Sequence, residues 1–136
     1  MQGMFEKSKN ITWLENNVKI TSSLSEANEA EIDAMAEAIA EAYQYSKLVV
    51  ACPTYDGVLF PCMEDFLYHL KIKNFQNRKA AIVENGTWAP VAGKQMRAYL
   101  EGMKNITLVE PTVTIKSTMS KKNLEELNAL ADALLA

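Results

Sequence analysis

The chain has 136 residues, 49% of them hydrophobic and 23% charged, which suits one domain with its own core. Its net charge of −3 and pI of about 5.2 argue against a nucleic-acid footprint, which shows as clustered Lys and Arg. No apolar run reaches the roughly 18 residues of a membrane span, and residues 1–20 lack the apolar core of a signal peptide. The expectation is a cytoplasmic protein that binds neither nucleic acid nor membrane. Its two cysteines, Cys52 and Cys62, are too few for a disulfide framework and read as small hydrophobes. The single histidine, His69, cannot build a His-rich metal centre, so no metal ligand is assigned.

From about residue 28 the chain alternates between helix and strand signals. Residues 29–44 place Ile32, Met35, Ile39 and Tyr43 on one helical face, with Asn28 as cap and Glu31 three residues later. Asp33, Glu37 and Glu41 form an acidic stripe, read as the wet side of that helix. "KLVVAC", 47–52, is an uninterrupted apolar run, as expected of a parallel strand covered on both faces. "PTYDGVLFP" is turn chemistry, and Pro61 suits the first position of a helix over 61–71. "KIKNFQNRK", the most basic segment, reads as a solvated loop, and "KAAIV", 79–83, as the next buried strand.

The loop "ENGTWAP", 84–90, leads into a helix with Met96, Tyr99, Leu100 and Met103 on one side. "ITLV", 106–109, and "VTI", 113–115, are strand-like, and Pro111 predicts a break between them. Ser120 is positioned to cap a last helix to about residue 134, with Leu124, Leu127 and Leu134 inward. This alternation predicts right-handed βαβ units and a three-layer α/β sandwich around a parallel sheet. Ligands of such sheets gather beyond the carboxyl ends of the strands. Two loops fall there, "PTYDG" and "ENGTWAP", carrying Tyr55 and Trp88. Two aromatics on neighbouring loops suit a flat molecule, and their shared cleft favours a ligand contact for Trp88 over the alternative of a core plug. No activated nucleophile is visible, and nothing in the spacing pairs Glu84 with Asp56 as acid and base. The chemistry would come from a bound cofactor.

The stretch from about Ala42 to the carboxyl end resembles the flavodoxin-like domain of A-type flavoproteins, the flavodiiron proteins. The most specific pieces are P-T-Y-D-G with F-P soon after, and N-G-x-W-A-P with A-G-K behind it. The resemblance implies an FMN-binding domain with a five-stranded parallel sheet of order 2-1-3-4-5. It implies that Pro53, Thr54, Tyr55, Asp56 and Gly57 match the loop on one flank of the flavin. Asn85, Gly86, Thr87, Trp88 and Ala89 match the second loop, with Trp88 stacking on the ring. Gly57 matches the glycine whose peptide turns to meet the flavin as it gains a proton. The implied role is electron transfer with a redox partner protein of unknown identity.

The sequence departs from that family in two ways. It carries no diiron domain, so oxygen or nitric oxide reduction at such a centre is not expected of this chain alone. Its beginning, residues 1–22, is atypical and lacks the S-x-x-G-N-T phosphate loop that follows the family's first, central strand. The expected fold is therefore a single flavodoxin-like domain over 1–136, truncated or rearranged at its amino end. "TSSLSEANEA", 21–30, is rich in hydroxyls and is one stand-in for the phosphate loop. "NITWLENNVKIT" is a candidate hairpin, "VKITS" a candidate strand beside 47–52, and a second copy of the chain a third way to complete the sheet. Trp13 would then belong to the core or to a homodimer interface. The competing function is a cofactor-free interaction or dimerisation module that has lost phosphate binding.

Overall fold

The computed structural model describes residues 26–136, and the chain divides into two units, residues 1–38 and 39–136. Helix α1 spans Glu26–Ala42, so Asn28 lies inside the helix and does not cap it. Ile39 and Ala42 are buried, whereas Ile32 is exposed. Helical spacing identifies residues that share a face; it does not say how far along the helix that face is covered. The candidate hairpin and strand within residues 10–22, Trp13, and residues 21–25 of the hydroxyl-rich stretch lie outside the described residues.

The second unit is built on strands β1 (Lys47–Tyr55) and β3 (Arg78–Asn85), which run parallel from Lys47↔Lys79 to Pro53↔Asn85. β3 is central. Ala80, Ala81, Ile82, Val83 and Glu84 are all buried, and successive strand residues face opposite sides, so both faces are covered. Helix α3 (Ala92–Glu101) packs on β1 and β3, and α4 (Lys121–Leu135) packs on β3 and β5 (Val113–Ile115). The expectation for β1 fails on one face: Val50 and Cys52 are buried, but Val49 is 38% exposed and Ala51 and Pro53 are exposed. An apolar run records tolerance of burial, and among the described residues the helices cover only one side of this strand. Among the described residues no strand pairs with Lys47–Pro53 on the edge away from β3.

The other edge of β3 is shared. β4 (Ile106–Leu108) pairs with Arg78–Ala80, and β5 pairs with Val83–Asn85, both parallel. The chain between them steps out around Pro111, as the missing proline donor predicts. Helix α2 (Pro61–Ile72) starts with Pro61 in its first turn and buries Leu67 and Leu70 against the core. Fully buried Leu59, Leu67, Leu70, Ile82, Met96 and Leu100 each contribute about 1.5–3 kcal/mol of burial free energy.

Two local readings are corrected by packing. The basic 71–79 segment is not simply solvated, because Phe75 is buried and meets Tyr43 edge to face at 5.2 Å. Arg78 lies over the Phe75 ring, and its guanidinium donates to the carbonyls of Tyr43, Gln76 and Asn77. In α4, Leu124 is exposed, and the inward residues are Leu127, Leu130 and Leu134. Ser120 caps this helix as expected, in a reciprocal box with Asn123.

Candidate functional site

The register of β1 against β3 brings the two candidate loops together. Pro53 and Asn85 are partners across the ladder, so both loops leave the sheet side by side at its carboxyl rim. The first loop is itself ordered as a hairpin. Pro53, Thr54 and Tyr55 belong to β1, and the chain returns antiparallel as β2 (Val58–Leu59), pairing Thr54↔Leu59 and Tyr55↔Val58. Asp56 and Gly57 form the turn with φ of 47° and 76°, the positive values a two-residue type I′ hairpin needs. Asp-Gly between apolar residues is the sequence signal for this hairpin; reading the segment as turn chemistry without a returning strand missed β2.

Side chains then fasten the hairpin to the second loop. The first amides of an α-helix have no partner within the helix. In α3 they are met by residues of the sheet. Thr54 Oγ1 accepts from Val91 N at 2.9 Å and from Ala92 N at 3.1 Å. Glu84, a buried carboxylate, accepts from Gly93 N at 2.7 Å and from the Thr114 hydroxyl at 2.8 Å. Gln95, one turn on, accepts from Leu59 N at 3.0 Å and donates to Gly57 O at 3.3 Å. Thr54, Glu84 and Gln95 thus join β1, β2, β3 and α3 at one rim. The negative end of Glu84 also takes the place an outside anion would occupy at the α3 N-terminus. Glu84 and Gln95 were not legible as site-forming residues, because the spacing of either says nothing of its partner.

The second loop folds back on itself. Gly86 N donates to Ile115 O, and Asn85 Nδ2 donates to Ser117 O. A Cβ at Gly86 would stand 3.0 Å from Pro90, so glycine lets the chain approach Pro90 closely without displacing it. Thr87, Trp88 and Ala89 form the exposed crest. Trp88 is 97% exposed, so it does not plug the core. Tyr55 is 56% exposed and leans edge-on against Phe60 at 5.5 Å. Gly57 has open space where a side chain would begin. Two exposed rings and an unobstructed backbone at one rim suit the planar part of a flavin. The α3 N-terminus is not open to its phosphate, since Thr54 and Glu84 already engage the α3 amides.

A cleft of about 420 Å³ lies at the opposite, amino end of the strands, lined by Ser46, Lys47, Arg78, Lys79, Asn105 and Thr107 among others. Two of its cations serve structure: Lys47 donates to Leu135 O at the end of α4, and Arg78 to Tyr43 O just beyond α1. Among the described residues no cluster of three His, Cys, Asp or Glu side chains is arranged to hold a metal ion. No helix of the described residues is long and apolar enough to cross a membrane.

Parallel β1, β3 and β4/β5 with helices on both faces define a flavodoxin-like fold. Solved structures agree. The chain is similar to a flavodoxin from the domain Archaea, with 21% identity and a TM-score of 0.65 over 71% of this chain and 68% of that one. It is similar to oxidised flavodoxin 1 of Bacillus cereus, with 18% identity and a TM-score of 0.62 over 83% of this chain and 92% of that one. It also matches rubredoxin oxygen:oxidoreductase of the anaerobe Desulfovibrio gigas, with 20% identity and a TM-score of 0.62 over 65% of this chain. The match spans only 22% of that longer protein. No family model and no curated protein sequence matches the chain.

Proposed function

We propose that this chain is a cytoplasmic FMN-binding electron-transfer domain, related to the flavin half of flavodiiron proteins, that serves a redox partner protein. The observation that carries this reading is the pairing of Pro53 with Asn85, which sets the Tyr55 and Trp88 loops at the same rim of the sheet. Tyr55 and Trp88 would contact the faces of the isoalloxazine, and the backbone of Asp56–Gly57 and Asn85–Ala89 would meet its polar edge. Bound FMN supplies transfer of one or two electrons. Gln95 and Thr54 hold the first loop in place before any ligand arrives. Fewer groups then need ordering on binding.

The test is titration of the chain into FMN, read by flavin fluorescence. Saturable quenching in the micromolar range is expected. Trp88→Ala removes a stacking surface worth about 1–3 kcal/mol, a loss of roughly 5- to 150-fold in affinity. Trp88 is exposed, so the variant's stability stays within about 0.5 kcal/mol of the parent. No quenching at high micromolar chain concentration refutes the assignment and favours the cofactor-free interaction module. A homodimer through the amino-terminal segment is a separate proposal, read by sedimentation equilibrium of the full chain.

A further inference from the structure

We propose that the cleft at the amino end of the strands is a binding site for a phosphate dianion, free or as a monoester, held between Lys47 and Lys79. The sheet register sets the site's main donors in one row. Lys47 partners Lys79 across β1 and β3, and Lys79 partners Thr107 across β3 and β4. Partners on adjacent strands project to the same face, with the strands about 4.8 Å apart. All three residues line the cleft of about 420 Å³. Two ammonium groups thus stand side by side, a placement that repels unless an anion lies between them. Among the described residues no acidic side chain lines the cleft, and neither lysine is in an ion pair. The end of α4 borders the cleft, where Lys47 gives one N–H to Leu135 O and keeps two. Lys79 has no side-chain partner among the described residues and keeps all three.

The backbone beneath this row is fastened. Lys79 N donates to Ser46 O at 3.0 Å, and Asn77 N donates to Lys104 O at 3.2 Å. Asn105 Nδ2 donates to Asn77 Oδ1 at 2.9 Å, which ties the turn before β3 to the turn before β4. That bond leaves the Asn77 side-chain N–H groups as further donors. Arg78 adds charge rather than a contact, because its guanidinium already donates to the carbonyls of Tyr43, Gln76 and Asn77. A phosphate monoester brings a charge near −2 and three acceptor oxygens, enough for both ammonium groups and the Thr107 hydroxyl. A carboxylate brings one charge and two oxygens and would leave donors unmet. From Lys79 to Asn85, β3 runs about 20 Å, so this site is separate from the carboxyl rim and does not supply the phosphate anchor of a flavin bound there.

The experiment titrates the full ¹⁵N-labelled chain, without flavin, with inorganic phosphate at mildly alkaline pH and constant ionic strength. Amide NMR should show saturable shifts at Asn77, Lys79, Asn105 and Thr107, with Gly57 and Trp88 unmoved. Phenyl phosphate in a parallel titration distinguishes the sources: tighter binding assigns the site to a phosphorylated small molecule, and equal or weaker binding to the free ion. Lys79→Gln removes one charge-assisted contact and should weaken binding by roughly 10- to 150-fold. Lys79→Arg keeps the charge and should retain binding, as should Lys94→Gln on exposed α3. Shifts that rise without saturating, that chloride reproduces, or that appear at the carboxyl rim instead overturn the proposal, as does a Lys79→Gln chain that binds like the parent. The parent titration decides the matter even if a variant folds poorly. It needs no flavin, so its outcome is separate from that of the FMN titration.

Discussion

Thr54→Val removes one oxygen and leaves the shape of the side chain nearly unchanged. Both residues are β-branched, so the preference of β1 for extended backbone is kept. Two amides, Val91 N and Ala92 N, lose their common acceptor. Ala92 is completely buried, and water cannot replace the hydroxyl there. An unpartnered buried donor costs about 1–3 kcal/mol, and loss of a helix cap about 0.5–2 kcal/mol. The two costs describe overlapping events, so the expected total is about 2–3 kcal/mol. In a domain of this size that lowers the melting temperature by roughly 7–11 °C. Urea unfolding followed by circular dichroism measures it, with the m-value unchanged. Thr54→Ser keeps the acceptor, sacrifices one methyl, and should cost no more than about 1 kcal/mol. The reasoning fails if the valine variant is within about 0.5 kcal/mol of the parent, or if serine loses as much as valine.

Gly93→Ala tests the same helix start from the other side. Alanine is the better helix former by about 1 kcal/mol, but its Cβ would meet the Glu84 carboxylate at 2.9 Å. Net destabilisation of about 1–3 kcal/mol in thermal unfolding is expected, and a gain in stability would refute the close approach. Gln95→Leu strands the buried amide of Leu59, costing about 1–3 kcal/mol, while Gln95→Glu keeps an acceptor for it and should be milder in the same assay. The Arg97 guanidinium hydrogen-bonds Glu110 at 2.6 Å and holds its carboxyl below the ordinary range, against a smaller desolvation effect and with help from the charge of Arg97. A depressed folded pKa means that the contribution is full above the ordinary carboxylate range and is lost as pH falls through the folded value. Carboxyl NMR should show Glu110 titrating low and returning to the ordinary range in Arg97→Gln; identical curves would remove the ion pair from the account.

Much of the candidate site was legible because turns announce themselves locally. Asp56-Gly57 and Gly86 mark places where backbone must reverse or approach closely, and Pro61 marks a helix start. The residues that fasten the loops were not legible. Thr54, Glu84 and Gln95 are polar side chains whose partners lie from 9 to 38 positions away, and no periodicity records such pairs. Trp88 was legible as a residue but not as an exposed one.

By itself, the amino-acid order determined the sequence of strands and helices apart from the short β2, the carboxyl-rim loops, and the Ser120 cap. These depend on contacts within a few residues and on apolar spacing that survives in any packing. Only the tertiary structure decided that β1 leaves Val49, Ala51 and Pro53 exposed, that β4 and β5 share one edge of β3, and that Glu84 closes the α3 N-terminus. Burial of a strand face and satisfaction of a helix end are set by what arrives from distant parts of the chain, and local sequence carries no record of that arrival.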